Sequence, residues 1–101
     1  MSESAVRLVA PGELLLTGVL DYQSGPTLRK QGAALIKASE LPTVILDCSG
    51  VEKSSSVGLA LLLAFMRDAQ DAGKQVSIRS MPDDMQKIAR VSEMTELLQA
   101  H

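Results

Sequence analysis

Aromatic residues are nearly absent from this chain, which has one Tyr, one Phe and no Trp in 101 residues. Stacking platforms for nucleic-acid bases are thereby disfavoured, since each stacked base needs a π-face beneath it. Any core must instead be aliphatic. An excess of basic charge is missing too. Ten Lys and Arg stand against twelve Asp and Glu, for a formal charge of -2 with no basic cluster. That argues against a nucleic-acid surface or an anionic membrane as a direct partner. The lone Cys48 excludes an internal disulfide and a cysteine-rich metal site, and points to a reducing compartment. The only His is the last residue, His101. The N-terminus, MSESAVRLVAPGELLL, lacks the basic start and apolar core of a signal peptide. The longest apolar run, Val57 to Met66, falls far short of the roughly 20 residues of a membrane span. These absences lead to the expectation of a cytoplasmic, soluble protein that reaches a membrane only through a partner.

What is present is apolar: 46% of the residues are hydrophobic, enough for one core in a chain of this length. A single domain over residues 1–101 is expected. AVRLVA (5–10) alternates weakly and ends at Pro11-Gly12, a turn signal; ELLLTG (13–18) then reads as a buried strand, so the two predict a hairpin. In SGPTLRKQGAALIKAS (24–39), Ser24 suits an N-cap and Pro26 a first helical turn, while Gly32 weakens the helical pattern. PTVILDCS (42–49) has the continuous apolar character of a central parallel strand. Val57 to Ala72 is the strongest helix, closed by Gly73. QVSIR (75–79) alternates as a short strand. MPDDMQKIARV (81–91) opens with Pro82, Asp83 and Asp84, which suit a helix N-terminus. TELLQA (95–100) suggests a last short helix or turn. The order predicts an α/β fold. It should have about four strands in a mostly parallel sheet, an N-terminal hairpin, and helices packed mainly on one face.

The stretch SSSVGLALLLAF (54–65) stands out. On a helical wheel Leu59, Leu62, Leu63 and Met66 share one side, which should face the sheet. Val57, Leu61, Ala64 and Phe65 form a second apolar stripe on the opposite side. Two accounts are open: a neighbouring helix covers that stripe, or it is an exposed patch that a protein partner reads. One of Ser54, Ser55 and Ser56 should cap the helix, whose first amides lack intrahelical acceptors. Capping does not explain three serines. A phosphate on one of them would be tolerated by the helix N-terminus, and would place charge beside the apolar stripe.

Enzymatic signatures are missing. There is no phosphate-binding glycine loop, no dinucleotide-binding glycine pattern and no metal-ligand spacing. Cys48 lies in a predicted buried strand, which suits an inert thiol. Asp21 and Asp47 fall near strand ends and suit loop anchoring. Neither an enzyme nor a cofactor or metal is expected.

The stretch from Asp47 to Leu59 resembles the signature of the STAS domain family, the fold of bacterial anti-sigma factor antagonists and of sulfate transporter tails. The family pattern is a strand ending in Asp-x-Ser, then x-Val, two variable residues, an apolar residue, Asp-Ser/Thr-x-Gly-Leu and a helix. Here it reads Asp47-Cys48-Ser49-Gly50-Val51-Glu52-Lys53-Ser54-Ser55-Ser56-Val57-Gly58-Leu59. LTGVLD, ending at Asp21, is similar to the family's second strand, and the element order agrees over nearly the whole chain. The resemblance places Ser56 at the family's phosphorylatable position, as candidate phosphoacceptor. Ser55 stands where the family usually carries Asp, and Ser54 where an apolar residue is usual. Within the family, GLALLL after the motif is most similar to the small subunits of Mla-type phospholipid ABC transporters. That implies a noncatalytic accessory role, on the cytoplasmic ATPase of a complex that maintains outer-membrane lipid asymmetry. The chain would then be peripheral to the inner membrane through that partner. The expected contact surface is Ser54, Ser55, Ser56, Val57, Leu61 and Phe65. The alternative the family implies is an anti-sigma factor antagonist switched by phosphorylation of Ser56, with an anti-sigma kinase as partner.

Overall fold

Pro11 and Gly12 make the turn their sequence predicts, and the two N-terminal runs form a hairpin. The computed structural model describes residues 4–91. In it β1 (Ala5–Ala10) pairs antiparallel with β2 (Glu13–Leu20). Gly12 has φ 73°, a left-handed conformation that glycine adopts without steric penalty. The chain continues through α1 (Gly25–Ala38), β3 (Thr43–Ser54), α2 (Ser56–Asp71), β4 (Gln75–Arg79) and α3 (Asp83–Val91). The sheet order is β1-β2-β3-β4, with β2, β3 and β4 mutually parallel. TELLQA and His101 lie outside the described residues.

Alternation along the strands decides which face is buried. Leu14, Leu16 and Leu20 of β2, Val44, Leu46 and Cys48 of β3 and Val76 of β4 point to one side. There they meet Leu28 and Ile36 of α1, Leu59, Leu62 and Phe65 of α2, and Met85 of α3 in one cluster. The aliphatic core expected from the composition is thus a single layer between sheet and helices. The opposite sheet face carries Glu13, Leu15, Ile45, Asp47 and Arg79, none of them buried. Arg79 ties three strands there, reaching Asp47 Oδ2 at 3.2 Å and Glu13 Oε1 at 3.5 Å.

Three local findings depart from the sequence reading. First, β2 runs two residues past Gly18, and β3 runs on from Ser49 to Ser54. Residues 49–54 are mostly polar, with Val51 the one apolar side chain, and give no strand periodicity, yet their backbone stays paired with β2 as far as Leu20 opposite Ser54. Second, Ser24 occupies the N-cap position of α1 without capping it. Its hydroxyl instead accepts from the Asp21 amide at 3.1 Å and donates to the Val19 carbonyl at 2.7 Å. Third, Gly32 does not merely weaken α1. It is a notch: a Cβ there would lie 2.3 Å from Phe65 Cε1, so the absence of a side chain admits the ring.

The ends of α1 and α2 are also fixed. Gly73, with φ 73°, terminates α2 as expected. Lys74 Nζ then reaches back to the last carbonyls of α1, donating to Ile36 O at 2.7 Å and also to Lys37 O and Ser39 O. A cation at a helix C-terminus satisfies orphan carbonyls and complements the helix dipole. Among the described residues, no helix is long and apolar enough to cross a membrane.

Candidate functional site

The serine run lies where β3 turns into α2, beside the turn that carries β2 into α1. Each of its three hydroxyls has a different situation. Ser55 is the N-cap: its Oγ accepts from the Val57 amide at 3.2 Å. Its own amide donates to the Leu20 carbonyl at 3.1 Å, tying the turn to the end of β2. Ser54 Oγ donates to the Ser55 carbonyl at 2.8 Å. It packs so close to Gly58 that a Cβ on that glycine would sit 2.0 Å from it. Gly58 is therefore a slot for the preceding turn, which accounts for glycine two residues into a helix. Ser56, the first residue of α2, is exposed, and its hydroxyl holds no hydrogen bond to a described residue. Of the three hydroxyls, only that of Ser56 is uncommitted.

The neighbouring turn is held in a similar way. Asp21 Oδ1 accepts from the amides of Gln23 and Ser24, both at 2.9 Å. These bonds, that from the Ser24 amide foremost, hold the Asp21 carboxyl below its ordinary range. The turn projects Tyr22 outward with 77% of its surface exposed. Asp21 is thus the loop anchor its position suggested. Asp47 anchors a different place. It sits on the open sheet face in register with Leu15, far from Asp21, and accepts from the Ser49 amide at 2.9 Å. That bond leads the effects that lower its carboxyl pKa, with Arg79 adding to it. The two acids do not meet.

The second apolar stripe of α2 proves to be largely internal, which corrects the exposed-patch account of it. Leu61 is 5% exposed and Phe65 is fully buried. Helix α1 covers them, and the Gly32 notch allows the close approach that seats the Phe65 ring. Neither side chain offers appreciable area to a partner. Conversely Leu63 and Met66, assigned to the sheet side by the wheel, are only half-buried. The helix packs between two neighbours, α1 and α3, and more extensively against α1, so its buried arc is wider than the wheel and shifted toward α1.

What remains open is the rim. Val57 is half-buried and its Cγ1 lies 3.3 Å from where a Gly25 Cβ would be. A shallow groove of about 290 Å³ runs between the first turns of α1 and α2. Pro26, Arg29, Val57, Ala60 and Ala64 line it, and the small accessible remainder of Leu61 forms part of its floor. Arg29 closes one end through a two-pronged pair with Asp68, 3.0 Å from Nε and 2.9 Å from Nη2. The sequence reading placed Ser54, Ser55, Ser56 and Val57 at one surface, and the structure brings them together. It did not assign Pro26 or Ala60 to that surface; they line one groove only when the two helix starts align.

The polar side chains at this surface are the serine hydroxyls and the Arg29–Asp68 pair. Among the described residues, no group of three or more His, Cys, Asp and Glu side chains could hold a metal ion. Cys48 is buried, and burial pushes its thiol pKa up to about 12, so it stays protonated and unreactive.

Comparison with known proteins agrees with this architecture. A family model described as "Mlab, STAS domain" matches residues 5–99. A chain of the Acinetobacter MlaFEDB complex in an ATP-bound conformation superposes with a TM-score of 0.74 at 24% identity, over 83% of this chain and 87% of that one. The anti-sigma factor antagonist SpoIIAA in its unphosphorylated form gives a TM-score of 0.62 at 18% identity, over 84% of this chain and 79% of that one. At these identities the two structures speak for the fold.

Proposed function

The chain belongs to the Mlab STAS-domain family, and on that premise we propose that it is a noncatalytic accessory subunit of a phospholipid ABC transporter. It docks on the cytoplasmic ATPase of a complex that maintains outer-membrane lipid asymmetry, and is held at the inner membrane through that partner. The observation that carries the reading is the built but chemically quiet surface at the start of α2. Ser55 and Ser54 spend their hydroxyls on holding the turn. Ser56 and the open part of Val57 are thereby presented in fixed positions beside a shallow groove. A surface prepared in this way loses little conformational entropy when a partner binds. The family's description and the likeness to a chain of the MlaFEDB complex support the choice of partner.

Such a subunit acts by binding one conformation or assembly state of its ATPase better than another, since a ligand shifts an equilibrium only by its differential affinity. The contact surface is Ser54–Ser56 with Val57. Leu61 and Phe65 contribute by fixing the helix from within.

The test is to purify the transporter with and without this chain, and to measure ATP hydrolysis and the integrity of the complex. Removal should lower one or both. Ser56→Asp should weaken binding, because it brings charge to the docking edge, while the protein stays folded: an acid in the first turn is favourable to the helix. If removal changes neither quantity, the transporter reading fails.

A second reading, a phosphorylation-switched anti-sigma factor antagonist, is favoured by one observation, the exposed and uncommitted hydroxyl of Ser56. Copurification with an anti-sigma kinase, and phosphate on Ser56, would establish it in place of the first.

A further inference from the structure

β1 is an edge strand, hydrogen-bonded to β2 on one side only. Its sequence, AVRLVA, is β-prone, carries one charge and contains no proline, the composition of a segment that adds strands readily. Leu8 and Val9 are 57% and 53% exposed on it. The edge is not bare, however. The Val6 amide donates to Gln31 Oε1 of α1 at 3.1 Å, so that N–H points away from β2 and is occupied.

In an antiparallel ladder, alternate residues turn their N–H and C=O groups outward. With Val6 outward, Leu8 is the next such residue. Beyond it the register shifts between Leu8 and Ala10, which interrupts the edge. The usable edge therefore has two rungs, Val6 and Leu8, and Gln31 takes the first donor. Arg7 lies between the rungs and is exposed. If a second copy paired antiparallel through both rungs, Val6 would oppose Leu8 of the other chain. Arg7 would then fall opposite its own symmetry mate, a close like-charge pair that destabilises sheets.

We infer that Gln31 and Arg7 are guards that keep the β1 edge from pairing with β1 of a second copy. Gln31 withholds a main-chain donor, and Arg7 makes the remaining register repulsive. The exposed Leu8 and Val9 are compatible with a lone chain because the backbone beside them cannot template a strand. The inference does not depend on the partner proposed above, since it concerns the opposite sheet edge from β4 and neither helix start.

The test is the molar mass of the full chain in solution, by light scattering or sedimentation across micromolar to millimolar concentration. Wild type should run as a single chain. Gln31→Glu should do the same, because its carboxylate still accepts from the Val6 amide. The double variant Arg7→Thr/Gln31→Ala should move to the mass of two chains within that range. Adding Leu8→Pro removes the second outward N–H, which β2 does not use, and should return the protein to one chain. Far-UV circular dichroism confirms that each variant is folded. The inference is overturned if the double variant stays a single chain throughout, if its dimer survives Leu8→Pro, or if wild type pairs equally well.

Discussion

Gly32→Ala has opposite expected signs depending on whether α1 and α2 touch as the structure shows. In an exposed helix, replacing glycine by alanine stabilises by about 0.5–1 kcal/mol, because glycine loses more backbone entropy on folding. Here the new Cβ would lie 2.3 Å from Phe65 Cε1, 2.6 Å from Cζ and 3.0 Å from Cδ1. Carbon atoms pack comfortably at about 3.5–4.0 Å, so the ring or the helix must move by about 1 Å. Phe65 has no exposed side through which to retreat. Overpacking of a close-packed core costs about 1–3 kcal/mol, and so severe an approach belongs at the upper end. After the helix gain is subtracted, the net loss is about 2 kcal/mol. For a domain of this size that lowers Tm by roughly 8–16 °C.

Urea melts of the purified chain measure the loss, with circular dichroism as the signal. A double-mutant cycle with Phe65→Leu assigns it. The smaller side chain vacates the notch, so Gly32→Ala should be much less costly in the Phe65→Leu background, by at least about 1 kcal/mol. An increase in stability for Gly32→Ala in the wild-type background would refute the notch. It would also refute the account of why the second stripe of α2 is closed to partners.

The burial pattern makes two further expectations. Leu61→Ala should cost about 2–5 kcal/mol, as for a buried leucine, and Leu63→Ala distinctly less, with denaturant melts giving the order; the helical wheel alone gives the reverse order. The acid limb of stability should depend on Asp47. Its folded carboxyl titrates below the ordinary value of 3.8, so it stabilises the fold fully above that value, and the contribution is lost as the pH falls through the folded pKa. Melts of wild type and Asp47→Asn between about pH 2 and pH 6 should therefore converge toward acid, and parallel curves would refute the assignment.

Much of the architecture is legible in the chain alone, because it depends on local chemistry. Pro11-Gly12 can only be a turn between two apolar runs. The unbroken apolar run of Val44, Ile45 and Leu46 suits a central strand, and the long apolar helix ended by Gly73 is equally plain. The pattern from Asp47 to Leu59 carries the family resemblance, because it packs a strand end, a turn, a cap and a glycine slot into thirteen consecutive positions. The serine turn belonged to this local class too, and Ser55 caps α2 as one of the three was expected to.

The rest was decided by contacts between residues far apart in the chain. A helical wheel shows that α2 has two apolar stripes, but not what faces the second one. Whether Leu61 and Phe65 are a docking patch or core depends on how near α1 comes, and that depends on Gly32, which by local propensity only weakens a helix. The same limit applies to Ser24 and Asp21. A serine before a helix reads as a cap, yet its hydroxyl was drawn to the Val19 carbonyl and the Asp21 amide by the path of the turn. The polar end of β3 gave no periodic signal, because its strand character comes from pairing with β2. Local sequence determined which segments form helices and strands, though not how far β2 and β3 run. Tertiary packing decided which apolar surface is closed, and so left Ser56, Val57 and the rim between the helix starts as the surface open to a partner.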